Sequence, residues 1–369
     1  MGDEGVFSED CLSDFRDGLC RNGMDFAFVT DHPGYMAHQD YEDLKLLREG
    51  DTDLGDRTVL ECGTVLFPGT EDDSMTVGLV EHVPGTVEER DALYNRSDAE
   101  SYAAFTAAGA DIYQNHPEGM ELEELVRRSE WGMTGLEIFN LHAMFGPDIR
   151  EEDLGLEPFS WVEDIGPFTE GEAEPDLLYI AVHQDQPPSL EHWDALLQLG
   201  PTVGIGGTDA HQNVLNWELA DGERVDSYRR MMSWFSNWVL VEDEDFQGSL
   251  ASGRNAVVFE FLGVPDQLDV RIGDLELGET GEGGTLSISC TSLASTSPRG
   301  LQDPELRVEV RRDGEVVGSG CGDHDATTPG VYRVSWYITP LHLSDFLGDA
   351  EALAEREHPW IHAGAIRVR

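Results

Sequence analysis

Apolar and polar positions follow two textures along the chain. Up to about residue 240, short apolar runs alternate with stretches of helical spacing. Residues 24–32 (MDFAFVTDH) form an apolar run that ends in polar groups. Residues 56–71 and 75–83 read as strands around a turn. The spacing predicts a helix over 98–110 opened by Asp98, a strand and its exit over 111–119, a helix over 121–131 and a strand over 134–140. A further helix is expected over 189–200, opened by Ser189 and closed by Gly200. It precedes a strand over 202–211 that runs into polar residues. Strand followed by helix, repeated, implies a parallel sheet, expected as an α/β barrel. The acidic stretch 151–176 predicts an exposed excursion.

After about residue 250 the runs become short, often alternating, and separated by Gly, Asp and Pro. RRDGEVV (311–317) is a hairpin signal. The expected organisation is therefore an α/β domain over residues 1–250 and a C-terminal β-sandwich over 251–369. Trp336, Tyr332 and Trp360 fall at spacings that suit the sandwich core.

Charge changes the list of partners. The chain of 369 residues carries 23 Lys and Arg against 74 Asp and Glu, a net charge of −51. Its one lysine is Lys45; the other basic residues are arginines. Such a surface repels phosphate backbones and anionic lipid, which sets aside nucleic acid and membranes as partners and leaves a small-molecule substrate. The acid is spread along the chain, as in proteins kept soluble in high salt, so a halophilic source is one expectation and a plain acidic protein the other. No run approaches the ~20 apolar residues of a membrane helix. The five cysteines form no C-x-x-C pair, and their odd number argues against a complete disulfide framework, although Cys290 and Cys321 share the β region and could pair.

Candidate chemistry lies where apolar runs end. His32, Glu71, His116 and the pair Asp209/His211 each follow such a run. In a barrel these exits meet at one face. Imidazoles and carboxylates converging there suit a divalent ion such as zinc, manganese or iron. There is no G-x-S-x-G and no Gly-rich phosphate loop: GETGEGGT (278–285) lacks the lysine and reads as a turn.

Four segments carry a resemblance. NGMDFAFVTDH (22–32), FPGTE (67–71), QNHP (114–117) and GGTDAH (206–211) resemble, in order, the T-D-H, P-G-x-E, N-H-P and S/T-D-A-H motifs of the PHP (polymerase and histidinol phosphatase) superfamily. Residues 5–10, 193–200, 330–334 and 359–361 resemble wording of its CehA/McbA-type metallohydrolase branch. The resemblance implies a distorted (β/α)7 barrel holding one to three divalent ions. The implied ligands are His32, Glu71, His116, Asp209 and His211, with Glu9 or Asp10 at a weaker acidic position. Asp31 would orient His32, because a ligating imidazole needs its second nitrogen fixed. His82 and Glu137 follow similar strands and are expected as pocket residues, His82 as a catalytic one. His142 and His183 read as loop residues, and Glu61 as a strand residue.

One departure matters. The family opens with a strand bearing His-x-His, and Met1 and Asp3 align there. The expectation is a barrel short of its first strand, with the true start upstream; a leader there would make the protein exported, whereas the sequence as it stands reads as cytoplasmic. The expected activity is hydrolysis of a phosphoester, or of an ester or carbamate. The alternative is a catalytically impaired PHP scaffold that binds a ligand or partner.

Overall fold

The computed structural model describes residues 8–212 and 215–369, leaving aside the side chain of Tyr35. Met1, Asp3 and Gly5 therefore lie outside the described residues. Eight strands make the first sheet: β1 (Phe26–Asp31), β2 (Thr52–Asp53), β3 (Thr58–Val59), β4 (Val65–Glu71), β5 (Met75–Val77), β6 (Asp111–Gln114), β7 (Gly135–Asn140) and β8 (Val203–Gly207). They run β2-β3-β4-β5-β6-β7-β8, with β1 parallel to β4. The β6–β7 and β7–β8 pairs are also parallel, but β3–β4, β4–β5 and β5–β6 are antiparallel. The wholly parallel sheet expected above is thus a mixed one. Its cause is local: residues 72–74 are too short for the crossover of a dozen or more residues that parallel neighbours need, so the chain turns straight back. Gly69 permits the reversal, since a Cβ there would overlap the carbonyl of Thr76 on β5.

Every residue of β7 is buried, as expected of a strand covered on both faces. Its cover includes the helix Pro187–Leu199, whose Trp193, Leu196 and Leu197 are buried. That helix begins at Pro187, two residues before Ser189, because proline is preorganised for the first helical turn. The helix Ala99–Ala107 opens as expected, on the carboxylate of Asp98. The sequence reading did not anticipate Glu9–Asn22, a helix capped by the Ser8 hydroxyl and closed by left-handed Gly23 (φ 65°). Nor is the acidic stretch 151–176 simply exposed, since Trp161, Phe168 and Ala173 anchor it in the core.

Eleven further strands follow: β9 (Ser236–Val239), β10 (Asn255–Val258), β11 (Val270–Ile272), β12 (Thr280–Gly281), β13 (Gly284–Ile288), β14 (Glu305–Arg312), β15 (Glu315–Ser319), β16 (Gly322–Ala326), β17 (Gly330–Thr339), β18 (His358–Ala363) and β19 (Ile366–Val368). One sheet runs β12-β19-β17-β18-β10-β9, with β14 beside β17 and β15 beside β14; β11-β13-β16 form a smaller one. β9 means that this sheet begins before residue 250. The β14–β15 turn uses Asp313 and Gly314 at φ 52° and 86°, the left-handed pair that a tight hairpin wants. Leu286 and Ile288 of the smaller sheet share one apolar core with Val310, Val334 and Trp336 of the larger. Tyr332 and Trp360 are buried, as their spacing implied.

The two regions are fastened together by polar contacts. Arg333 on β17 pairs with Asp194 and lies 5.0 Å from the Trp193 ring. His362 on β18 sits between Ser335 Oγ (2.9 Å) and Asp185 Oδ1 (3.0 Å). His183 Nε2 donates to the Pro359 carbonyl at 2.8 Å, so this residue, in a loop as expected, is a buried joint. Lys45 is buried too, held by Asp53 and Glu42. No helix among the described residues is long and apolar enough to cross a membrane.

Cysteine pairing goes beyond the sequence reading. Cys290–Cys321 is a disulfide, as its placement allowed, and Cys20–Cys62 is a second, with Cα atoms 5.8 Å apart. Cys11 is the remaining free thiol. Unreduced, denatured protein is expected to titrate one thiol per chain. Cys20→Ser should lower the melting temperature by roughly 5–10 °C, since closing a loop of this size contributes about 3–4 kcal/mol. Three titratable thiols, or an unchanged melt, would refute the pairing.

Burial pushes the His183 imidazole down to about 3, helped by the neighbouring His358 charge, and pushes His342 down to about 4. A folded-state value below the unfolded one means that the unfolded chain binds more protons. The stabilisation is complete above about pH 6.5 and is lost progressively as pH falls toward the folded values. Melting temperature should therefore drop between pH 6.5 and 4.5, and the drop should shrink in His183→Asn. A profile that is flat, or identical in the variant, contradicts this assignment.

Candidate metal centre

Strand ends deliver the candidate donors. Glu71 is the last residue of β4, His32 follows β1, His116 lies two residues past β6, and Asp209 and His211 follow β8. Two close pairs result. His116 Nε2 stands 3.4 Å from Glu71 Oε1, and His211 Nε2 stands 3.2 Å from Asp209 Oδ1. His32 Nδ1 meets the Glu71 carbonyl at 3.0 Å, which ties β1 to β4 at their ends. Donation from Nδ1 to that carbonyl leaves Nε2 with its lone pair.

Two of these residues occupy left-handed backbone, His116 at φ 48° and Asp209 at φ 45°. Only six non-glycine described residues do so, and such conformations cluster where geometry serves function. Around His116 the surroundings are polar and dry. Glu118 Oε1 lies 3.8 Å from its Nδ1, with the Glu118 side chain 2% exposed. Asn115 donates to Glu71 Oε1 at 3.3 Å. Asn115 Oδ1, His116 Nδ1 and Glu118 Oε2 are buried atoms without a hydrogen-bond partner within normal reach. A carboxylate behind an imidazole is the arrangement that orients a ligating histidine.

Some expected residues stand elsewhere. The Asp31 carboxylate accepts the backbone N–H of His32 at 2.9 Å; adjacent on the chain, it reaches the main chain more readily than the ring. The imidazole of His32 is instead fixed by Glu71. Glu9 pairs with Arg48 on the rim of the same cleft, away from the donor pairs. His82 is bound by Tyr94 Oη (3.0 Å) and the Gln39 carbonyl (2.9 Å), outside the cleft lining, and burial lowers its pKa. Glu61 lies in an exposed turn rather than in a strand. Other residues prove nearer than expected. His142 is on the helix Leu141–Phe145 rather than in a loop: its Nδ1 is 3.7 Å from Asp209 Oδ2, and its ring meets that of His116 edge-on at 5.4 Å. Glu137, fully buried, accepts from the His116 N–H at 3.1 Å and from Asn140 Nδ2 at 2.6 Å.

The charges compensate one another. Burial, joined by the field of Glu71, pushes the Glu137 carboxyl up to about 8 against the pull of His116. Burial disfavours charge on His116, but the close carboxylates of Glu118 (3.8 Å) and Glu71 (3.4 Å), with the field of Glu137, outweigh it and hold the imidazole up at about 11. Burial likewise disfavours charge on Asp209, but His211, with help from His142 and His116, keeps its carboxyl below the usual range.

His32, Glu71, Glu137, Asp209 and His211 line a cleft of about 1760 Å³ that opens between β1 and the β8–β9 region. Asn237 of β9 bonds both polar backbone atoms of Gly206, and Asn255 of β10 bonds the Gly204 carbonyl, sealing that side of β8. Cation bonds of about 2.0–2.2 Å put neighbouring donors roughly 3 Å apart. The two pairs match that spacing, and imidazole with carboxylate suits a divalent ion. Among the described residues no three such groups close on one point. The donor types and pairs fit a cation, whereas the complete cage does not form.

No family model matches the chain, and no curated protein matches it. A solved structure of a two-domain protein containing a predicted PHP-like metal-dependent phosphoesterase, from Bacteroides vulgatus ATCC 8482, is similar over 95% of this chain and 89% of that one. Identity is 14% and the TM-score 0.41, a likeness too distant to carry weight for fold or activity.

Glu71 depends on the tight β4–β5 reversal that Gly69 permits. Gly69→Ala should destabilise the protein by about 1–3 kcal/mol through overpacking against Thr76, read from urea unfolding. An unaltered midpoint would mean that the hairpin is looser than described.

Proposed function

We propose that this chain is a metal-dependent hydrolase of PHP type, with a distorted barrel, acting on a phosphoester or on an ester or carbamate. The observation that carries the reading is the meeting of sequence-distant strand ends: His32, Glu71 and Asp209/His211 line one cleft, and His116 stands 3.4 Å from Glu71 beside it. A divalent ion at those pairs supplies Lewis acidity and a water of lowered pKa. The chain's own part is orientation: Glu118 and Glu71 hold His116, Asp209 holds His211, and β9 and β10 close off one wall. Arg48, paired with Glu9, is the arginine among the cleft's lining residues. Two disulfides support folding in an oxidising compartment, and the −51 charge supports operation in high salt.

A second reading is a scaffold with impaired catalysis, favoured by the failure of three donors to converge among the described residues. One experiment separates them. Purified protein is analysed for metal and assayed on an aryl phosphate and an aryl ester, with and without chelator, at about 0.1 and 2 M KCl. The hydrolase reading expects bound metal, chelator-sensitive turnover that rises with salt as self-repulsion is screened, and a loss of more than about 100-fold in Asp209→Asn. Metal without turnover supports the scaffold. Neither metal nor turnover rejects both the ion and the enzyme.

A further inference from the structure

We infer that Glu137 is the positioning residue of this centre: its buried carboxylate locks together the three chain segments that present His116, His142 and Asp209. The inference rests on the reading of the cleft as a metal centre. Glu137 sits in the middle of β7 with its side chain out of solvent. Its Oε2 accepts the backbone N–H of His116 at 3.1 Å, which pins a residue in left-handed conformation immediately before Pro117. The same oxygen accepts Asn140 Nδ2 at 2.6 Å. Asn140 Oδ1 in turn caps the helix Leu141–Phe145 through the Ala143 N–H, and that helix carries His142. Gln186 clamps the main chain of Asn140 from both sides, with its Oε1 accepting the N–H at 3.0 Å and its Nε2 donating to the carbonyl at 2.6 Å.

The third segment is the turn after β8. A Cβ on Gly207 would overlap Glu137 Oε1. Glycine at 207, two residues before Asp209, is therefore what lets the carboxylate lie flat against that turn. One carboxyl group thus touches the exits of β6 and β8 and, through Asn140, the exit of β7. Its contacts are with backbone and amide groups, so its work is to fix where the imidazoles and Asp209 stand.

The test is binding of Co²⁺ alone to the full chain, followed by calorimetry and by the visible absorption that reports coordination geometry. Glu137→Ala should weaken Co²⁺ binding by about 10–100-fold and alter the spectrum. Glu137→Gln should stay within about 3-fold of wild type, because its amide oxygen can still accept from both His116 and Asn140. Gly207→Ala keeps every side chain of the network and should weaken binding as Glu137→Ala does, so the measurement survives if the latter does not fold. Wild-type affinity in both alanine variants would overturn the proposal alone. So would an equal loss in Glu137→Gln, since charge rather than positioning would then be at work. Wild-type protein that binds no Co²⁺ would overturn the reading of the centre and this proposal with it.

Discussion

Three carboxylates, Glu71, Glu137 and Asp209, share one poorly hydrated cleft, and the architecture around it answers to their mutual repulsion. Each is neutralised differently. Glu71 faces an imidazole and an amide, Glu137 accepts from the His116 N–H and from Asn140 while burial raises its pKa, and Asp209 lies among histidines. Unpaired charges in such surroundings would each cost several kcal/mol. That requirement accounts for the concentration of His, Asn and Gln at the strand ends of a chain that is otherwise strongly acidic.

Most of the elements were legible in the sequence. β1, β4, β6, β7 and β8, and the helices after Asp98 and before β8, have plain end signals and form where the spacing put them. The mixed direction of the sheet was less legible, because strand direction is set by loop length rather than by pattern. The helix Glu9–Asn22 escaped notice since Gly18 and four acidic residues blur its apolar stripe, although Ser8 and Gly23 bracket it. β9 is a four-residue strand, and Cys20–Cys62 joins residues that only tertiary folding brings together.

Within the centre, the residues carried by short motifs were found and those carried by geometry were not. The pairing of Glu71 with His116 follows from strand ends meeting, and that of Asp209 with His211 from their spacing after β8. Glu118 and His142 have no local signature and are singled out by a 3.8 Å approach and a ring contact; Glu137 was expected in the pocket from its strand, and its contact with Gly207 is what geometry adds. His82 shows the converse, since a strand exit brought it near in sequence while Tyr94 and Gln39 hold it elsewhere. Asp31, expected to orient the imidazole of His32, bonds its main-chain N–H.

The buried position of Lys45 has a practical corollary. It is the chain's one lysine and is 2% exposed, held in an ion pair with Asp53. Reagents that couple to ε-amines, such as activated-ester dyes, bifunctional cross-linkers or amine-reactive sensor surfaces, find no lysine to attack on the folded molecule. Immobilising this protein by its side chains calls for carboxylate, arginine or thiol chemistry, and a lysine placed by mutagenesis on the surface would be its one exposed ε-amine.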